Sequence, residues 1–155
     1  MGWFARFTPK VLVETGTFKG QNVLSSLDDF ELIYSVECDW ELFLQAKRRL
    51  SGIPKAKLFH GDSIQFIEDL FLPEPAVFYL DAHWSGWGEP TPLPLLGELR
   101  AIAKRPHPDV VVIDDMRLMG KTSWSGEDGT DWPRACFDFS EATHEAIAEA
   151  CPGTW

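Results

Sequence analysis

The chain has little positive charge. Its 14 lysines and arginines face 24 aspartates and glutamates, a formal net charge of −10 over 155 residues. Acidic residues are spread along the chain, and such a surface repels a phosphate backbone, so general nucleic-acid binding is not expected. The basic run Lys47-Arg48-Arg49 reads as a solvated helix face. Cysteine is scarce as well: Cys38, Cys136 and Cys151 are odd in number and form no CxxC. That excludes a disulfide framework and makes a reducing cytoplasm the expected setting. No apolar run approaches the roughly 20 residues of a membrane span, so no membrane partner is expected. Met1-Gly2-Trp3-Phe4-Ala5-Arg6 is not a signal peptide, and Arg6 breaks the myristoylation pattern. Familiar catalytic signatures are missing too. Gly120-Lys121-Thr122 resembles the tail of a P-loop, but Asp115 stands where its first glycine is needed. There is no Gly-x-Ser-x-Gly elbow. Counted from Gly16, a GxGxxG fingerprint fails at Gln21 and already at Phe18.

What is present is an ordinary globular composition, 45% hydrophobic and 25% charged, of a length that suits one domain over residues 1–155. Short apolar runs alternate with helical patterns. Val11-Leu12-Val13 reads as a first strand, closed by a turn at Glu14-Thr15-Gly16-Thr17 and followed by a helix from Gln21 to Leu27. Leu32 to Val36 is a second strand, after which Asp39 caps a helix to Leu50, with Gly52 at its stop. Ala56 to Phe59 is a third strand, and Ser63 is placed as the N-cap of a helix whose face is Ile64, Ile67 and Phe71. Val77 to Leu80 is a fourth strand, followed after a Gly, Pro and Trp-rich loop by a helix carrying Leu95, Leu96, Leu99 and Ile102. Val110 to Ile113 is a fifth strand. A polar loop over residues 121–138 and a helix capped by Ser140 and running to Ala150 complete the pattern. Five βα units with continuously apolar strands predict an α/β fold: a three-layer αβα, Rossmann-like domain around a mostly parallel sheet of about five strands.

Each of these strands ends in an acidic residue at or just past its last apolar position: Glu14, Glu37, Asp62, Asp81 and Asp114. In open parallel sheets, ligands bind outside the carboxyl ends of the strands. Five carboxylates on one rim are costly unless they bind something.

Glu14-Thr15-Gly16-Thr17-Phe18-Lys19-Gly20 resembles motif I of the class I S-adenosylmethionine-dependent methyltransferases, with Phe18 in place of the middle glycine. Glu37 and Gly61-Asp62-Ser63 are similar to that family's acidic residue after strand 2 and its strand 3 motif. The resemblance covers roughly residues 11 to 118. It implies a Rossmann-like fold that binds S-adenosylmethionine through Glu14, Thr15, Gly16, Thr17, Gly20, Glu37, Asp62, Ser63 and Asp81. Glu37 would accept the ribose hydroxyls, and Asp62 would meet the adenine amine. Gly16 would let the backbone approach the ligand.

Leu80-Asp81-Ala82-His83 and Ile113-Asp114-Asp115-Met116-Arg117 end neighbouring strands. Three converging carboxylates repel unless protonated or bridged by a cation, and hard oxygen ligands suit Mg²⁺. The expected metal ligands are therefore Asp81, Asp114 and Asp115. The chain is similar in this feature to the Mg²⁺-dependent small-molecule O-methyltransferases of the family. That resemblance implies O-methylation of a small or sugar-like acceptor, with His83 and Asp81 as catalytic residues and His83 taking the proton. Two other readings stay open on the residues alone. One is a metal-dependent hydrolase or transferase built on Asp81, His83, Asp114 and Asp115; the other is a non-catalytic nucleotide-binding domain.

Trp84 and Trp87 are placed as a lid over this crevice, with Trp124 and Trp132 as further candidates. No strand-like run follows the last helix, so the hairpin of strands 6 and 7 usual in the family is not expected. Strand 5 would then be an exposed edge, covered by the loop over residues 121–138 or by a second subunit in a homodimer.

Overall fold

The structure, a computed structural model, describes residues 9–83, 93–121 and 139–153. Five strands alternate with five helices: β1 (Val11–Thr15), α1 (Gln21–Ser25), β2 (Leu32–Glu37), α2 (Trp40–Arg49), β3 (Ala56–His60), α3 (Ser63–Asp69), β4 (Val77–Leu80), α4 (Leu95–Ala103), β5 (Val110–Ile113) and α5 (His144–Ala150), with a short 3-10 turn at Met116–Leu118. The sheet is parallel throughout, in the order β3-β2-β1-β4-β5.

Side chains alternate between the two faces of the sheet because the strand period is two. Val11, Val13, Phe78 and Leu80 pack against Ile67, Leu95, Leu99 and Ile147, so α3, α4 and α5 cover one face. Leu12, Ile33 and Val77 pack against Val23, Phe30 and Leu50 on the face of α1 and α2. The chain leaves β1 toward β2 and β3 on one side and returns to β4 and β5 on the other. The switch point therefore lies between β1 and β4, where open α/β sheets form their ligand crevice.

The strands fall where the apolar runs place them, and the helix ends differ. The helix after β1 stops at Ser25, where the hydroxyls of Ser25 and Ser26 both donate to the Asn22 carbonyl. The N-cap of α3 is Asp62, not Ser63: its carboxylate accepts from the Gln65 amide at 2.9 Å. The cap of α5 is Thr143, not Ser140, with Thr143 Oγ1 accepting from the Ala146 amide. Phe71 lies past the end of α3 and is 86% exposed, so it is not part of that helix's core face. Among the described residues β5 is an edge of the sheet, and its four residues are half-buried. Its expected cover falls on residues 121–138, of which only Lys121 is described, and Trp84, Trp87, Trp124 and Trp132 also lie outside the described residues.

Candidate active site

On the β1–β2 side, the crevice is built around the turn that follows β1. Gly16 has φ +80°, and a Cβ there would lie 2.5 Å from the Asp81 carbonyl oxygen. Glycine at this position is therefore demanded by the backbone leaving β4. The Gly16 and Thr17 amides donate to the Val36 carbonyl at 3.0 and 3.1 Å, tying the turn to the end of β2. Phe18 takes φ +49°, a left-handed conformation that is uncommon for a residue with a side chain. The replaced glycine thus leaves its backbone shape behind. Its amide donates to Glu37 Oε2 at 2.7 Å, a charge-assisted bond that compensates the conformation. Gly20 packs on Leu50, the C-cap of α2, where a Cβ would come within 3.0 Å of Leu50 Cδ1.

Glu37 is buried, and its second oxygen accepts from the Asp39 amide at 2.9 Å. With the two amides and the Cys38 thiol as donors, the carboxylate still keeps acceptor capacity. Burial raises the Glu37 carboxyl above its ordinary value, against the two amide bonds that lower it. Asp39 in turn caps α2 through the Leu42 amide at 2.8 Å. Beside it, Trp40 is 55% exposed, with ring centroids 4.9 Å from His60 and 5.5 Å from Phe43. This aromatic shelf sits on the crevice rim and was not singled out by sequence.

Glu14 lies inside the protein, 1% exposed. It accepts from Asn22 Nδ2 at 2.6 Å and from the Ser35 hydroxyl, and Ser35 Oγ lies 2.6 Å from Thr17 Oγ1. Its carboxylate therefore braces β1, α1 and β2 from beneath the turn. Burial raises it to about 7, opposed by the bonds from Ser35 and Asn22.

Across the switch point, the Asp81 amide donates to the Thr15 carbonyl at 3.2 Å and the Asp114 amide to the Leu80 carbonyl at 3.0 Å, extending the ladder past β4 and β5. This aligns three acidic side chains, but not as a cation cage. His83 stands between two of them, Nδ1 at 3.4 Å from Asp81 Oδ1 and Nε2 at 3.6 Å from Asp115 Oδ2. Arg117 holds the other oxygen of Asp115 at 2.9 Å. Asp114 accepts from the Tyr79 hydroxyl and from the Asp115 amide, both at 2.8 Å. Among the described residues, no group of three His, Cys, Asp or Glu side chains is arranged to hold a metal ion. In the structure the expected Mg²⁺ ligands Asp81, Asp114 and Asp115 are engaged by His83, Tyr79 and Arg117.

Burial would lower the His83 pKa, but the bond to Asp81 and the charges of Asp81, Asp115 and Asp114 outweigh it and raise it. Burial also raises Asp81, with His83 opposing. Burial and the bond to Asp114 hold the Tyr79 hydroxyl far above its ordinary value.

Glu98 is a site residue that the sequence reading passed over. It lies on α4, is 1% exposed, and lines a cleft with Asp81, His83 and Asp114. Its position three residues after Leu95 and four before Ile102 puts a carboxyl on the apolar face of the helix, which is the signal that could have found it.

No protein-family model matches the chain, and no curated protein matches it. Solved structures do. CalS10 with S-adenosylmethionine bound, an amino pentose methyltransferase from Micromonospora echinaspora, matches with a TM-score of 0.50 at 17% identity, over 71% of this chain and 44% of that one. The 23S rRNA methyltransferase ErmE matches with a TM-score of 0.54 at 19% identity, over 76% of this chain and 45% of that one. An rRNA methylase from Streptococcus thermophilus matches with a TM-score of 0.50 at 18% identity, over 73% and 68% of the two chains. The chain spans less than half the length of CalS10 and ErmE. At these identities the likeness establishes the fold alone, a Rossmann-like α/β fold of the kind these methyltransferases have.

Proposed function

We propose that this chain is the cofactor-binding domain of an S-adenosylmethionine-dependent methyltransferase acting on a hydroxyl of a small or sugar-like acceptor. The observation that carries the reading is the contact between the two halves of the crevice. The Gly16 turn, clasped by Glu37, packs directly on the backbone of Asp81, and Asp81 holds His83. A cofactor lying along the turn would therefore end beside a basic group.

The residues fit that cofactor. Glu37 has acceptor capacity left for ribose hydroxyls, and Trp40 offers an exposed ring for a purine. Asp62 and Ser63, at the start of α3, lie on the same rim. When bound, S-adenosylmethionine supplies an electrophilic methyl group on a sulfonium.

The chain's own residues would do the rest. His83, neutral at its Nε2, takes the proton of the acceptor hydroxyl; Asp81 orients the ring through Nδ1 and stabilises the imidazolium that results. Asp115 would have to turn toward Arg117 to free Nε2 for the acceptor, and Arg117 already holds its other oxygen. Asp81, Asp114 and Asp115 are already engaged by His83, Tyr79 and Arg117, so the His83 route is the one proposed. The strongly acidic chain favours a small acceptor over RNA. The test is methyl transfer from labelled S-adenosylmethionine to a panel of hydroxyl compounds. Asp81→Ala should abolish turnover while its affinity for S-adenosylhomocysteine stays within about threefold of the parent. Loss of cofactor binding in that variant would overturn the division of roles.

A further inference from the structure

Two polar atoms at the base of the crevice have no hydrogen-bond partner among the described residues: Thr15 Oγ1 and Glu98 Oε1, both buried. Buried polar groups are normally satisfied, so an unsatisfied pair next to a ligand crevice asks for a ligand, an ion or a water. Thr15 ends β1 and is fully buried, and Glu98 rises from α4, the helix that follows β4. Gly97 lets α3 approach closely here, since a Cβ at that position would lie 2.3 Å from Ile64 Cδ1. The carboxyl of Glu98 is thereby brought near Ser63. The hydroxyls of Ser63 and Thr15 temper the effect of burial on that carboxyl, yet neither completes a well-formed bond to Oε1.

The surroundings of Glu98 are acidic. Asp62, from the start of α3, and Asp81, from the end of β4, both act on it electrostatically. Asp114 and His83 line the same cleft. A buried carboxyl set among carboxylates is unfavourable as an anion and becomes favourable once a cation is placed beside it. His83, the imidazole of that cleft, is already engaged by Asp81 and Asp115.

We propose that Glu98 is a specificity-determining residue of the crevice, which gives a cationic sulfonium cofactor preference over its neutral thioether product. The inference deepens the cofactor reading above and depends on it. S-adenosylmethionine and S-adenosylhomocysteine share every group except the methyl and its positive charge. A contact with adenine, ribose or the amino acid end therefore cannot distinguish them, whereas a buried carboxylate can. The consequence is product release: after transfer the charge is gone, and the attraction goes with it. Because burial raises Glu98 to about 7, the empty crevice carries it partly protonated near neutrality. Binding the cation releases that proton, and binding the neutral product does not.

The experiment is calorimetric titration of the parent chain and of Glu98→Gln with three probes: S-adenosylmethionine, S-adenosylhomocysteine, and an analogue bearing an ammonium in place of the sulfonium. Each is measured at pH 6 and pH 8. The parent should bind both cations more tightly than S-adenosylhomocysteine, and that ratio should grow about tenfold from pH 6 to pH 8. Glu98→Gln should bind S-adenosylhomocysteine as the parent does and lose the preference at both pH values. Glu14 also rises to about 7, and the Glu98→Gln comparison separates the two. An unchanged ratio in Glu98→Gln, with S-adenosylhomocysteine still bound, overturns the role of Glu98 and leaves the cofactor reading standing. Absence of binding by all three probes in the folded parent overturns both. If Glu98→Gln does not fold, the parent decides alone: a ratio that stays flat between pH 6 and pH 8 overturns the proposal.

Discussion

The Phe18 amide and Glu37 Oε2 are 2.7 Å apart, so the carboxylate at the end of β2 holds the turn at the end of β1 in a conformation that Phe18 would not adopt freely. Residues 19 positions apart are thus one unit. The acidic side chain that faces the crevice is also the one that shapes its floor.

Replacing Glu37 should therefore weaken both the fold and the site. Glu37→Ala removes two charge-assisted bonds to buried or half-buried amides and is expected to lower stability by about 2 kcal/mol. It should also weaken S-adenosylhomocysteine binding by more than about tenfold. Glu37→Gln keeps one acceptor oxygen and should fall between the two. Urea unfolding and ligand titration on the same preparations check this.

The turn itself makes an asymmetric prediction. Gly16→Ala puts a methyl group 2.5 Å from the Asp81 carbonyl at a positive φ, with rigid backbone on both sides. It is expected to cost about 3 kcal/mol or to prevent folding. Phe18→Gly relieves a left-handed side-chain residue and gains chain entropy only in the unfolded state, so it should stay within about 1 kcal/mol of the parent. Thermal unfolding of the two variants would read the difference directly.

His83 sets the pH dependence of turnover. Its pKa is raised mainly through the bond to Asp81, against burial, so the imidazole stays protonated to a higher pH than usual. A base must be neutral, and turnover should therefore rise with pH through a value above 6.5. Asp81→Asn removes the charge that holds the proton, so any residual rate should show its limb at lower pH. A limb that does not move in Asp81→Asn would separate His83 from the proton transfer.

Stability should depend on pH through Glu14 and Glu98. Both rise from 4.5 to about 7 when buried in the fold. A group whose folded pKa is raised contributes stability fully present below its unfolded pKa and lost as pH climbs through the folded one. The melting temperature is therefore expected to fall between pH 4.5 and pH 7, by the equivalent of about 1–3 kcal/mol for each residue. Glu98→Gln should flatten part of that slope, and calorimetric scans at several pH values would show it.

Much of this architecture is legible in the residues. Continuous apolar runs such as Val11 to Val13 identify buried parallel strands. Helix ends are less legible, because Ser63 and Asp62, or Ser140 and Thr143, are chemically equivalent caps until the backbone direction is known. The reason for Gly16 is invisible in sequence, since the carbonyl it accommodates belongs to Asp81, 65 positions away. The carboxylates Asp81, Asp114 and Asp115 suggest a cation by composition alone. Their partners Tyr79, His83 and Arg117 are set by the fold, which alone shows which of them reach. Glu98 is hidden by its neighbours, in a helix whose pattern is read for its leucines.

The central claim is that this crevice binds an S-adenosyl cofactor, and calorimetric titration of the chain with S-adenosylhomocysteine tests it most directly. The account predicts saturable binding of one molecule per chain, weakened more than about tenfold in Glu37→Ala and kept in Asp81→Ala. A folded chain that gives no saturable binding at millimolar ligand would contradict it.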